Sequence, residues 1–129
     1  MSERFYHRMF LIAALWNLVG GALILAFTGW IFESAHLVPP NPPLYYQSWI
    51  ALFMVFGVGY YLVAGHPYQN QNLVKLGIIG KLAFAVIFIV NLLRLPNQIP
   101  RLFLTPVIGD LVFVVLFTMF LSHARRSGK

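Results

Sequence analysis

Four apolar runs, residues 9–32, 45–64, 73–93 and 102–121, take up most of this chain, and each is long enough to cross a hydrocarbon layer that needs about 20 residues of helix. A backbone in lipid must satisfy its own hydrogen bonds, so runs of this length are read as helices. The breaks between them are sharp. Residues 33–44 hold Pro39, Pro40, Pro42 and Pro43, which stop a helix and favour a stiff, extended connector. Residues 65–72 run Gly65, His66, Pro67 and Tyr68 into the amides Gln69, Asn70, Gln71 and Asn72, a helix stop followed by turn chemistry. Pro96 and Pro100 flank Asn97 and Gln98, so the last two runs form a tight antiparallel pair. The predicted architecture is an all-α integral membrane four-helix bundle, up-down-up-down, forming a single transmembrane domain over residues 1–129.

Composition closes off the alternatives. With 60% hydrophobic and 9% charged residues the chain could not cover a soluble core with polar surface, so its solvent is lipid. The net charge of +6 comes from basic residues placed singly or in pairs at the ends of apolar runs, where they meet anionic head groups; nucleic acid is not an expected partner. There is no cysteine, which excludes disulfides, thiolate metal sites and palmitoylation on this chain. Arg4 and Arg8 resemble the start of a signal peptide, but the run that follows is about twice a signal's apolar length and reads as a retained span.

Lysine and arginine counts set the orientation. Arg4, Arg8, Lys75, Arg125, Arg126 and Lys129 fall on the side that holds both termini, and Arg94 and Arg101 on the other, which predicts cytoplasmic N and C termini. Aromatic residues gather at both predicted boundaries, with Phe5, Tyr6, Tyr60, Tyr61 and Tyr68 inside and Trp30, Tyr45, Tyr46 and Trp49 outside.

Two charges lie within the spans, Lys81 and Asp110, and an ionisable residue in lipid is a functional candidate because leaving it unpaired is costly. Each sits about 12 Å in from one end of its helix, at depths that a lysine stem can bridge. Gly77, Gly80, Lys81, Phe84, Phe88 and Asn91 share one arc of the third helix, and Pro106, Gly109, Asp110, Phe113 and Phe117 one arc of the fourth. Asn17 places an amide at a similar depth on the first helix, and Gly57, Tyr61 and Ala64 share a face of the second. The candidate site is therefore a buried polar cluster of Asn17, Tyr61, Lys81, Asn91 and Asp110. Three roles stay open for its charges: an ion pair that fixes helix register, a ligand or proton site, or a lysine that reaches to the interface without meeting Asp110.

His7, His66 and His123 map to the cytoplasmic edge and His36 to the outer loop. No His-x-x-His spacing joins them, so neither a metal nor a haem is expected. The acidic residues, Glu3, Glu33 and Asp110, are scattered, and nucleophile elbows, zinc-protease and nucleotide-loop motifs do not occur. Neither enzymatic activity nor a cofactor is expected.

The chain resembles a group of small four-helix bacterial membrane proteins of the DoxX-like kind. The resemblance covers most of its length and rests on Trp16-Asn17-Leu18 with Gly20 and Gly21, Phe56-Gly57-Val58-Gly59-Tyr60, His66-Pro67, Leu73-Val74-Lys75-Leu76-Gly77, Gly80-Lys81 and Gly109-Asp110-Leu111. Gly65 stands where that group often has an acidic residue beside the histidine-proline pair. The resemblance implies the fold and a bacterial inner membrane far more than it implies an activity. Two functions follow as expectations. One is a non-catalytic subunit or interaction module of a membrane complex, with lipids and a membrane protein or further copies of the chain as partners. The other is binding or transport of a hydrophobic or amphipathic small molecule, such as a lipid or quinone, at the polar cluster.

Overall fold

A computed structural model describes residues 2–129, and the described residues form helices joined by turns and loops, with no strand. Five α-helices follow in order: α1 Glu3–Ala26, α2 Thr28–Ser34, α3 Leu44–Gly65, α4 Gln71–Arg94 and α5 Leu104–Arg126. Short 3₁₀ turns, Pro67–Gln69 and Arg101–Phe103, lead into α4 and α5. Helices α1, α3, α4 and the segment Arg101–Arg126 are long and apolar enough to cross a membrane, consistent with an integral membrane protein. The described residues divide between Pro67 and Tyr68 into two compact units, each a helical hairpin.

In the first hairpin α1 opens on Ser2, whose hydroxyl accepts the Phe5 N–H at 3.2 Å, with Glu3 in the first turn where the helix dipole favours an acid. Its buried positions, Tyr6, Met9, Phe10, Ala13, Ala14, Asn17 and Gly21, recur every three or four residues and mark one face. Helix α3 runs antiparallel to it, a register read from three contacts. The His7 Nδ1 lies 2.7 Å from the Ala64 carbonyl, Asn17 Nδ2 donates to the Phe53 carbonyl at 2.8 Å, and the Thr28 and Tyr46 hydroxyls are 3.3 Å apart.

The single helix expected over 9–32 is longer at its start and broken near its end. Capping by Ser2 carries α1 back to Glu3, and the helix is interrupted at Phe27, with φ −110° and ψ 22°. Thr28 explains the break. Its hydroxyl reaches the Ile24 carbonyl at 2.8 Å and the Leu25 carbonyl at 3.1 Å, so polar groups loosened from the helix stay satisfied in an apolar setting. Because the proton of Thr28 is spent on these carbonyls, Tyr46 is the donor in the hydroxyl pair. Helix α2 then stops on His36, at φ 56°, with the Leu37 N–H bonded to the Phe32 carbonyl and the His36 N–H to the Glu33 carbonyl. His36 is thus a helix stop.

The second hairpin pairs α4 with α5, again antiparallel. Val74, Gly77, Lys81 and Ala85 are buried on α4, and Val107, Asp110, Phe113, Phe117, Phe120 and Ala124 on α5. Helix α5 continues past the expected limit of 121 to Arg126, because its last turn is held rather than frayed. Tyr68 stacks on Phe120 at 5.4 Å, and its hydroxyl lies 3.1 Å from His123 Nε2. Beyond Ser127 the chain reverses at Gly128, φ 69°, with the Gly128 N–H on the Arg125 carbonyl and the Lys129 N–H on the Ala124 carbonyl, the paired bonds of a glycine-closed helix end.

Candidate functional site

Lys81 and Asp110 meet inside the second hairpin. The lysine Nζ donates to Asp110 Oδ1 at 2.7 Å, and the two side chains are only 4% and 3% exposed. Their meeting follows from phase and size. Gly77 lies one turn before Lys81 on the same buried face of α4 and Ala85 one turn after, so the lysine stem occupies space that larger neighbours would fill. On α5, Asp110 and Phe113 are three residues apart and share a face. The Phe113 ring centroid is 5.3 Å from Nζ, giving the ammonium an aromatic face beside its carboxylate.

A buried pair of this kind does one thing without rearrangement: it holds two helices in a single register. Coulomb attraction is strong where water is scarce, but so is the cost of desolvating each ion. The pair therefore adds little over well-packed apolar residues while making any slip of α4 against α5 expensive, since a slip would leave both charges unpaired.

Asn17 is 2% exposed and belongs to the first hairpin, where its amide donates to the Phe53 carbonyl. Gly57 makes that reach feasible. A Cβ at Gly57 would lie 2.8 Å from Leu18 Cγ, 3.0 Å from Asn17 Cβ and 3.1 Å from the Ala14 carbonyl oxygen, so only the missing side chain lets α1 and α3 come this close. Gly21 repeats the device one turn along, where a Cβ would run into the Met54 side chain. Asn17 and Leu18 on α1 and Gly57 on α3 are thus two sides of one packing contact.

Two residues expected in the polar cluster stand elsewhere. Tyr61 is 62% exposed, and it is Tyr60, at 2%, that faces inward. Asn91 is exposed and returns its amide to the Ile87 carbonyl one turn earlier at 2.8 Å, so it is satisfied within its own helix. The histidines serve helix ends. His7 donates from Nδ1 to Ala64, one of the carbonyls left over where α3 terminates, and His123 meets Tyr68. Among the described residues no three histidine, aspartate or glutamate side chains stand together as metal ligands would.

Hydropathy gives no sign of an apolar groove of about 430 Å³ at the α1–α2 break, lined by Leu23, Ile24, Phe27, Trp30 and Ile31. The signal for it was Thr28-Gly29 inside an otherwise apolar run, a weak helix point in the wrong place for a loop. No family profile, curated protein or solved structure matches this chain.

Proposed function

We propose that the protein is a four-span, DoxX-like bacterial inner-membrane protein with up-down-up-down topology and cytoplasmic termini, acting as a non-catalytic subunit or interaction module of a membrane complex. What supports this reading is the closure of the Lys81–Asp110 pair within one hairpin: the charges inside the spans are committed to each other at 2.7 Å and almost wholly covered. An ion pair so enclosed is suited to fixing helix register, which a scaffold needs and a carrier that must release its charges does not.

The outward faces fit the same role. On α3, Leu52, Val55 and Leu62 are exposed, and Gly59, between Val55 and Leu62, has nothing within 4 Å of where a Cβ would stand. A side-chain-free point in an apolar face allows close approach by another helix.

Native mass spectrometry of the protein released gently from its own membrane tests the proposal, since subunits and retained small molecules are read together. A second polypeptide in fixed ratio is the expected result. A discrete small molecule with no polypeptide partner, lost on Lys81→Met or Asp110→Asn, would replace this reading with ligand binding.

A further inference from the structure

Charge is divided very unevenly along this chain. Residues 1–67 carry two basic and two acidic side chains, whereas residues 68–129 carry seven basic residues against the single acid Asp110, which is already paired with Lys81. Of the remaining cations in the second hairpin, Arg94 and Arg101 belong to its loop end, and Lys75, Arg125, Arg126 and Lys129 to the other. All four of the latter side chains are exposed.

The end bearing these four is built rather than frayed. Gly128, in the left-handed region, turns the chain back so that the Lys129 ammonium lies over the Tyr68 ring at 4.5 Å, and Gln71 Nε2 donates to the Lys129 backbone oxygen at 3.0 Å. The tail is thereby fastened to the turn before α4, and Lys129 is held near the last turn of α5, where Arg125 and Arg126 stand. Compensation of the helix dipole does not account for them, since a helix C-terminus carries about half a negative charge, whereas Arg125 and Arg126 in the last turn and Lys129 just beyond it bring three cations to this end.

We propose that this end of the second hairpin is a binding site for the head group of an anionic phospholipid, with Arg125, Arg126 and Lys129 as its cations. The site lies where a membrane-crossing helix ends, which is head-group depth, and its charge complements a phosphodiester. Arginine supplies forked donors to phosphate oxygens, and the turned-back lysine adds a further cation at the same end of the hairpin. The proposal rests on the membrane reading above but not on the subunit role.

The test reconstitutes the full chain in bilayers of equal phosphatidylglycerol and phosphatidylcholine and reads by native mass spectrometry which lipid stays bound. Phosphatidylglycerol is expected to be retained in preference, and the preference should fall by about fivefold for each cation removed in Arg125→Gln/Arg126→Gln and in Lys129→Gln. Arg94→Gln/Arg101→Gln, with the same loss of charge at the loop end, should leave the preference in place. Gly128→Val keeps every charge but strains the reversal, and should lower the preference as far as Lys129→Gln does. An unchanged preference in the Arg125/Arg126 variant, an equal fall in the Arg94/Arg101 variant, or a Gly128 variant that behaves as the parent would each overturn a built site. A chain that does not enter bilayers at all would overturn the membrane reading with it.

Discussion

Lys81→Met is expected to destabilise the second hairpin by about 3–5 kcal/mol, because it strands the Asp110 carboxylate in a place that is only 3% exposed. Asp110→Leu should cost a similar amount by stranding the ammonium, eased to the extent that the lysine stem can reach toward the head groups. The informative variant is the double one. Replacing both ions by Met and Leu removes two desolvation costs along with one attraction, so Lys81→Met/Asp110→Leu should recover most of the loss and can exceed the parent. Unfolding of the full chain in mixed micelles, followed by helical circular dichroism, gives the four stabilities of the cycle. Losses that simply add would mean that the two residues do not act as a pair, and the register role would fall with them.

The second large effect is expected in the first hairpin, from adding side chain rather than removing it. Gly57→Ala places a methyl 2.8 Å from Leu18 Cγ and 3.1 Å from the Ala14 backbone oxygen. Leu18 can rotate aside; the backbone oxygen cannot. The helices must separate, which lengthens the Asn17–Phe53 hydrogen bond of 2.8 Å as well. Overpacking of this kind costs about 1–3 kcal/mol, and Gly57→Leu should lie at or beyond the upper end. Gly59→Ala, two residues along the same helix with open space around it, is the matched control and should be neutral or slightly stabilising through helix propensity. Thermal melts of the variants in one detergent would show the contrast. Equal melting points for the Gly57 and Gly59 variants would contradict the close crossing.

The long helices were legible because lipid imposes a single rule on a long apolar segment, and proline and amide clusters mark where the rule lapses. Lys81 and Asp110 were legible for a related reason. They are the charges inside the spans, and small and aromatic residues at helical spacing fixed which way each one faces. Tyr61 shows where phase reasoning fails. Gly57, Tyr61 and Ala64 share a face at spacings of four and three, but Gly57, Tyr60 and Ala64 do so equally well at three and four, and the buried set is the second. Nothing in the local sequence separates neighbouring tyrosines about 100° apart when the helix surface is apolar all round. Asn91 fails differently, since an amide can spend its donor on the carbonyl one turn back, and burial against a partner helix is then not required.

Other features hid in positions where their residue types are uncommon. A helix stop at positive φ is ordinarily glycine or asparagine, and here His36 fills it. The interruption at Phe27 depends on a threonine hydroxyl bonding back along its own helix, which hydropathy does not register. By contrast the turn at Gly128 carries its usual signature, a glycine just past a basic last turn, and could have been read beforehand.

Labelling of single cysteines tests the membrane topology most directly, and the chain offers a clean background because it contains none. Ser2→Cys and Ser127→Cys should react with an impermeant maleimide only from the cytoplasmic side, and Ser34→Cys, at the end of α2, only from the opposite side. Reaction of the Ser2 and Ser34 variants from the same side would contradict the proposed path of the first span and, with it, the four-span topology.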